Sequence, residues 1–166
     1  DRVDGPERIG PRPGIGTYDV WSFDLERGLE TPITTEADTE ISPIALIDGQ
    51  SIVYSANRLA APELYVRNLG SGAETRLPTA QDAFQQAQDL SPDGRTLAYV
   101  ERTISGSFDI WTVPLSGEGR AVPFLQSPFD KNEVRFSPDG RFLAFVADDS
   151  GQAEVYVAPF PGPGEK

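Results

Sequence analysis

An internal repeat of about 45 residues constrains the fold of this chain more than any other feature of its sequence. Two segments are closely similar: residues 89–100 read DLSPDGRTLAYV and residues 135–146 read RFSPDGRFLAFV. A looser copy, residues 41–54, reads ISPIALIDGQSIVY. The Asp-Gly pairs of the three copies lie at intervals of 45 and 46 residues. A chain with such a period is expected to fold as a stack of similar units.

A second marker keeps the same period. It consists of an acidic, an aliphatic and an aromatic residue, and it recurs at intervals of 44, 46 and 45 residues. The four copies are Asp19-Val20-Trp21, Glu63-Leu64-Tyr65, Asp109-Ile110-Trp111 and Glu154-Val155-Tyr156. Two markers with one period of this length predict the four-stranded blades of a β-propeller. We expect the four aromatic side chains to pack between blades.

The last repeat shows how each unit should fold. Residues 133–136 alternate polar and apolar side chains, as a strand with one wet face does. The Ser-Pro-Asp-Gly segment at 137–140 predicts a tight turn in which Gly140 takes a positive φ. Residues 142–146 are continuously apolar, which predicts a central strand packed on both faces. In the looser copy Leu46-Ile47 replaces Ser-Pro, so either the turn is looser there or that blade lies at an edge.

The predicted fold is therefore all-β, with about three blades of four antiparallel strands and no helix. Thirteen strands are expected: two in 17–35, four in 38–79, four in 85–126 and three in 131–159. The predicted divisions are a linker or edge segment at 1–16, propeller blades at 17–160 and a tail at 161–166. Propellers usually have four to eight blades. The chain is thus expected to be a partial propeller, or to complete a ring as a homo-oligomer.

Composition excludes several classes of function. The net charge of −12, from 26 acidic and 14 basic residues, makes nucleic acid an unfavourable partner. The sequence contains no Cys and no His, which excludes disulfides, a Ser-His-Asp triad and imidazole metal sites. No apolar run of about 18 residues occurs, so this segment is not expected to contact a membrane. The absence of Met predicts a processed chain or a segment of a longer one.

Three short motifs resemble catalytic or cofactor sites only in part. Gly49-Gln-Ser51 begins like a nucleophile elbow but lacks its second Gly. Gly14-Ile-Gly16 lacks the third Gly of a dinucleotide fingerprint, and the tail 162–166 lacks the spacing of a phosphate loop. We therefore predict no catalytic residue, no cofactor and no enzymatic activity.

The loops that join strands carry the candidate binding residues, because the strands are committed to the fold. Phe84 and Phe129 occupy equivalent loops, where each either anchors a protein or peptide partner or plugs the blade beneath it. The basic residues either line a pocket or lie on the surface. Asp148-Asp149 is the best metal candidate, a weak one for Ca²⁺, and a solvated turn is the preferred interpretation. The predicted binding residues are Arg58, Phe84, Arg102, Phe129, Lys131 and Asn132.

The motif Ser-Pro-Asp-Gly-Arg-x-Leu-Ala-(Tyr/Phe)-Val, followed by Asp-Ile-Trp or Glu-Val-Tyr, resembles the TolB-type, WD40-like (PD40) repeats of bacterial propellers. The resemblance covers residues 17–160. A narrower one, carried by 122–129, 136–141 and 154–162, is to the C-terminal propellers of bacterial membrane-bound serine/threonine kinases. These resemblances imply a binding or sensor module located in the periplasm or otherwise outside the cytoplasm.

Three functions follow from these resemblances. The first is a protein- or peptide-binding propeller, including the sensor domain of a receptor-type kinase. The second is the gating propeller of a prolyl-oligopeptidase-like peptidase. The third is a TolB-like periplasmic scaffold. A lyase-type propeller with its own active site is disfavoured because the chain has no His.

Overall fold

The computed structural model describes residues 7–13, 17–58, 61–117 and 119–162. Gly14-Ile-Gly16 and most of the predicted tail lie outside the described residues. Within these ranges the chain is all-β, as predicted, and it has no helix that could cross a membrane. The strands are β1 (Glu7–Pro13), β2 (Tyr18–Asp24), β3 (Leu29–Pro32), β4 (Glu40–Ala45), β5 (Ser51–Ala56), β6 (Glu63–Asn68), β7 (Glu74–Arg76), β8 (Gln85–Leu90), β9 (Thr96–Arg102), β10 (Phe108–Pro114), β11 (Val122–Leu125), β12 (Lys131–Phe136), β13 (Phe142–Ala147) and β14 (Glu154–Pro159).

The strands form four antiparallel sheets whose strand order follows the sequence. Sheet 1 contains β1–β3, sheet 2 β4–β7, sheet 3 β8–β11 and sheet 4 β12–β14. Sheets 2 and 3 are complete four-stranded blades, as the repeat predicts. Their first strands, β4 and β8, lie side by side, and β12 of sheet 4 continues the row. The inner strand of each blade is therefore the first strand of its repeat.

Strand β1 is an addition to the predicted strands. Its segment ERIGPRP contains two prolines, and a proline cannot donate a hydrogen bond to a neighbouring strand. The segment nevertheless pairs with β2, at the edge of sheet 1, over seven residue pairs. It holds the position that β5 holds in sheet 2, next to the strand that carries the acidic-aliphatic-aromatic marker. Sheet 1 has no counterpart of β4 among the described residues.

The core consists of three apolar clusters, one between each pair of consecutive sheets. Val20 of sheet 1 packs with Ile52 and Tyr54 of sheet 2. The next two clusters join sheet 2 to sheet 3 and sheet 3 to sheet 4 in the same way. Sheets 1 and 4 make no contact with each other among the described residues. The sheets therefore form an open arc of stacked blades rather than a closed ring.

The burial of each central strand shows whether its sheet has a neighbour on one face or on both. All six residues of β5 are buried, and four consecutive residues of β9 are buried, so both faces of these strands are covered. The expectation that residues 142–146 are packed on both faces is wrong, because burial alternates along β13. Leu143 and Phe145 face sheet 3, whereas Phe142 remains exposed. The sequence of β13 suits a strand with two neighbours, but the described residues supply only one.

The turn between the first two strands of each blade is the same in all three repeats. The amide of Gly140 donates to the carbonyl of Ser137 at 2.9 Å, and Gly94 and Ser91 form the same bond at 2.8 Å. In the looser copy Gly49 donates to Leu46 at 3.1 Å. Sheet 2 also lies inside the stack, so neither the loose turn nor the edge position expected there is observed. The side chain of Asp48 accepts from two following amides and stabilises the turn.

Replacing Gly140 by Ala should destabilise the chain by about 1–2 kcal/mol, because φ is +71° there and a Cβ is unfavourable in that region. Gly70→Ala is the matched control, since Gly70 has no positive φ and its added Cβ would meet one side-chain atom at 3.5 Å. Urea unfolding followed by circular dichroism measures both. Equal losses for the two variants would contradict the role of the turn.

Candidate binding surface

One end of the stack, here called the loop end, is formed by loops at 81–84, 103–107, 127–131 and 148–152. Hydrogen bonds link these loops within sheets 3 and 4 and from sheet 3 to sheet 4. The amide of Arg102 donates to the carbonyl of Phe84 at 2.9 Å, and the amide of Phe108 donates to Asp130 Oδ1 at 2.8 Å. The amide of Asp130 in turn donates to Asp148 Oδ1 at 2.8 Å. The loop end is thus one connected surface fixed to the strands below.

Two apolar side chains project from this surface. Phe129 is 44% exposed, and Ile104 at the tip of the 103–107 loop is fully exposed. Phe84, in the loop equivalent to that of Phe129, packs edge-on against Phe108 with ring centroids 5.6 Å apart. Arg102 is exposed, and its Nε donates to the carbonyl of Gly106 at 3.3 Å. The two equivalent phenylalanines therefore differ, because Phe84 covers its blade whereas Phe129 faces outward.

Arg58 belongs to an internal cluster rather than to an open pocket. Its guanidinium pairs with the carboxylate of Glu74, donates to the Tyr54 hydroxyl at 3.2 Å and lies 4.7 Å from the centre of the Tyr65 ring. Tyr54 also donates to Glu74. Burial and this carboxylate raise the pKa of Tyr54 above its usual value. The cluster ties the second and third strands of sheet 2 to its outer strand.

Lys131 is buried and fully engaged by the chain itself. Its ammonium donates to Asp109 Oδ1 at 3.0 Å and to the carbonyls of Phe108, Ser127 and Phe129 at 3.2, 3.1 and 2.6 Å. The partner Asp109 is the acidic residue of the second marker. This ion pair therefore joins sheet 3 to the first strand of sheet 4.

The acidic residue of the marker has a structural role that the sequence alone does not reveal. Asp109 accepts from the amide of Ser127 at 3.2 Å, and Glu63 accepts from the amide of Asp82 at 3.0 Å. Each carboxylate thus holds the connection that leads to the next blade. Arg76 completes the Glu63 site with a bond of 2.7 Å.

The first residues of the three inner strands form a second periodic set, here called the junction residues: Glu40, Gln85 and Lys131. They lie at intervals of 45 and 46 residues, and all three are buried. Gln85 donates to Glu101 at 2.8 Å and accepts from the Thr79 hydroxyl at 2.8 Å. The junction residue between sheets 2 and 3 is therefore an uncharged amide, whereas the junction residue between sheets 3 and 4 forms an ion pair.

Glu40 stands apart from the other junction residues because one of its oxygens has no partner. The Thr34 hydroxyl donates to Oε2 at 2.9 Å, whereas the buried Oε1 has no hydrogen bond. Burial raises the pKa of Glu40 to about 7, the nearby carboxylates of Glu36 and Asp19 also raise it, and Thr34 and Arg58 lower it. The junction residue between sheets 1 and 2, Glu40, therefore carries a buried carboxyl group with a pKa of about 7.

The inner strands line a concave surface that encloses a cavity of about 1470 Å³. Asn132 contributes to this lining, together with polar side chains that bridge neighbouring strands. Gln86 donates to the Ser42 hydroxyl at 2.9 Å, and Arg135 donates to the carbonyl of Gln88 at 2.8 Å. Each inner strand also shifts register against its partner, with positive φ at Ser42 and Glu133. These bulges are irregularities that the alternation of residues does not predict.

Asp148 and Asp149 lie in the loop after β13. Asp148 accepts from the amide of Asp130, as described above, and its carbonyl accepts from Gly151 at 2.8 Å. Among the described residues, no group of three or more Asp, Glu, His or Cys side chains is arranged to hold a metal ion. The contacts made by Asp148 are those of a loop-stabilising residue.

Comparison with known proteins supports the interpretation of the repeats. No family model matches the chain. TolB of the Tol-Pal system from Bordetella pertussis is 33% identical over 146 residues, which are 88% of this chain and 33% of the relative. In the crystal structure of TolB from Acinetobacter baumannii, the matched region covers 96% of this chain and 40% of that chain, with a TM-score of 0.81 and 20% identity.

The chain is built from TolB-type β-propeller repeats. It spans a third of the length of the Bordetella relative, so the TolB-type segment described here corresponds to part of such a protein. A shorter match, 32% identical over 77 residues, is to the uncharacterized peptidase YuxL of Bacillus subtilis. That match covers 43% of this chain and 12% of YuxL.

Sequence reasoning missed two features of the candidate surface. Ile104 was not singled out, because one aliphatic residue in a loop carries no pattern. The junction residues Glu40 and Gln85 were also missed, although their spacing equals the repeat and could have revealed them. The partners of Arg58 and Lys131 come from distant strands, which a pattern along one strand does not identify.

Lys131→Met should destabilise the chain by about 3–5 kcal/mol, because it removes the ammonium that neutralises the buried Asp109 carboxylate and donates to three carbonyls. Arg141→Met is the matched control. It breaks an exposed, solvent-screened ion pair with Asp139 and should change stability far less than Lys131→Met does. Chemical unfolding at pH 7 measures both losses, and similar values for the two variants would refute the junction assignment.

Stability should fall as the pH rises from about 5 to 8, because ionisation of Glu40 is less favourable in the folded chain than in the unfolded chain. The folded-state pKa of about 7 exceeds the usual value of 4.5, so this contribution is complete below pH 4.5 and is lost as the pH passes 7. The loss should be about 2–3 kcal/mol. The chain has no His to titrate in this range.

Glu40→Gln should flatten this pH dependence. Glu101→Gln is the comparison variant and should reduce the slope less than Glu40→Gln, since burial also raises the pKa of Glu101 but the hydrogen bond from Gln85 to its carboxylate lowers it. Unfolding free energies at pH 5, 6, 7 and 8 test the assignment. A Glu40→Gln variant that keeps the wild-type slope would exclude Glu40 as its source.

Proposed function

We propose that the chain is a non-catalytic, protein-binding segment of a TolB-like bacterial scaffold located outside the cytoplasm, and that its partner binds at the loop end. The 33% identity with TolB over 88% of this chain supports the scaffold role and the location. Since the match spans a third of that relative, the proposal concerns this segment rather than a whole Tol-Pal protein.

The observation that carries the proposal is the exposure of Phe129 and Ile104 on loops fixed to rigid strands. Large apolar side chains on such loops act as anchors when a partner buries them. Arg102 lies at the base of the Ile104 loop and offers a cation there, and Asn132 lies where the loop end meets the concave surface. A partner segment with an apolar side chain and an acidic or carbonyl group fits this arrangement.

The roles of Arg58 and Lys131 are proposed to be structural. Each is held by groups of the chain itself, so binding a ligand there would require an internal ion pair to break. Phe84 packs on Phe108 and is proposed to support the surface from below. The absence of His and Cys from the sequence is consistent with a role without catalysis.

A second candidate function is a gating propeller attached to a peptidase, which the match to YuxL favours. The reading frame that encodes the chain distinguishes the two, since a Gly-x-Ser-x-Gly domain downstream would support the peptidase. Attachment to a receptor-type serine/threonine kinase stays a prediction from sequence resemblance, and a kinase catalytic loop upstream would support it.

Photo-crosslinking tests the proposed binding surface. We expect p-benzoylphenylalanine at position 129 or 104 to form an adduct with one discrete protein of a bacterial envelope fraction. The control position is Leu29, which is also exposed but pairs with Asp24 at the opposite end of sheet 1. Denaturing electrophoresis with mass spectrometry identifies the adduct. Equal adducts at 29 and 129, or none at either, would contradict the proposal.

A further inference from the structure

The carboxyl group of Glu40 links sheet 2 to sheet 1. Its Oε2 accepts from the Thr34 hydroxyl at 2.9 Å, and Thr34 Oγ1 accepts from the amide of Val20 at 2.8 Å. The Thr34 hydroxyl has one proton, which it donates to Oε2, so the proton of a neutral Glu40 lies on Oε1. Oε1 has no hydrogen-bond partner, and the residue is completely buried. An ionised Glu40 would therefore lack both water and a donor at this oxygen.

The repeat shows which group occupies the same position between sheets 3 and 4. There the acidic residue of the marker, Asp109, is paired with the ammonium of Lys131 at 3.0 Å. The residues at the equivalent positions between sheets 1 and 2 are Asp19, which is half-buried, and Glu40. Two acids thus occupy the positions that an acid and a cation occupy two blades later. Two neighbouring carboxyls disfavour ionisation of each other.

Sheet 2 neutralises its marker acid in another way, which sheet 1 also lacks. Glu63 is paired with Arg76 at 2.7 Å, and Arg76 lies opposite the marker aromatic Tyr65. In sheet 1 the residue opposite the marker aromatic Trp21 is Pro32. Neither of the two cations that neutralise a marker acid in sheets 2 and 3 therefore has a basic counterpart at the junction between sheets 1 and 2.

The charges around this junction favour a protonated carboxyl. The charged groups that act on Glu40 from the elements packed against it are Asp19 of β2, Glu36 of the segment before β4 and Arg58 of the segment after β5. Arg58 is already paired with Glu74. Burial is the main cause that raises the pKa of Glu40 to about 7, the two acids raise it further, and Arg58 opposes them. A proton thus takes the place of the missing cation.

We propose that the proton on Glu40 holds sheet 1 against sheet 2, and that its loss opens this junction as a pH-dependent switch. Ionisation adds a second negative charge beside Asp19, and opening returns water to both carboxylates. The other two junctions have a cation for their marker acid and should stay closed over the same pH range. All the groups named here belong to this segment, so further blades in a longer chain would leave the junction unchanged. The proposal is independent of the partner at the loop end.

Hydrogen exchange followed by mass spectrometry at pH 6 and pH 8 tests the switch in the wild-type chain, after correction for the intrinsic exchange rates. A pKa of about 7 in the closed junction and 4.5 in the open one predicts that the opening equilibrium constant rises about tenfold between these pH values. Protection of β2 and β3 should fall by this factor. Protection of β9 and β10 should fall less, because Gln85 lowers the pKa of Glu101 in that sheet.

Two variants identify the group responsible. Glu40→Gln should remove the difference between pH 6 and pH 8 in β2 and β3. Glu40→Lys should re-create the ion pair of the third junction and keep β2 and β3 protected at pH 8, whereas Glu40→Lys combined with Asp19→Asn should lose that protection. If the lysine variants do not fold, Glu40→Gln alone decides. Equal losses of protection in all sheets, or a Glu40→Gln variant with the wild-type pH dependence in β2 and β3, would overturn the proposal.

Discussion

Face-to-face packing of consecutive sheets is the constraint on which the rest of this structure depends. Every core cluster lies between two sheets, so no blade has a complete core of its own. Repeat architectures share this property, because each unit buries its apolar face only against a neighbour. The central strands β5 and β9 are buried on both faces because each is covered by two neighbouring sheets. The number of neighbours, rather than the strand sequence, therefore decides whether a central strand is buried on one face or both.

Polar residues, by contrast, distinguish one blade junction from the next. The marker acids Glu63 and Asp109 each hold the connection to the following sheet, but the junction residues beside them differ. An ammonium, an amide and a carboxyl all occupy the same buried position at the start of an inner strand. An ion pair and a bonded amide are compatible with burial, whereas a carboxyl with one unpartnered oxygen is not when ionised. The repeat thus conserves geometry while allowing the electrostatics of each junction to vary.

The repeats made most of the fold predictable, because the turn and marker motifs specify strands that pair with their sequence neighbours. The outer strands at 74–76 and 122–125 complete the four strands expected in 38–79 and in 85–126. Strand β1 was missed because its prolines argue against a strand, and only pairing with β2 reveals it. The exposure of Phe142 and the burial of Lys131 could not be predicted, since both depend on which other sheet lies opposite.

The same dependence on neighbours explains where a binding function can reside. The buried strand residues are committed to sheet packing, and the half-buried Arg58 and the buried Lys131 are committed to ion pairs, so a ligand could engage either group only by breaking internal contacts. What remains is a loop surface whose backbone is bonded from sheet to sheet and whose apolar side chains Phe129 and Ile104 have no covering neighbour in the arc. Loops held in this way bind with little loss of conformational entropy. Such a loop surface suits the protein-binding role proposed for this chain.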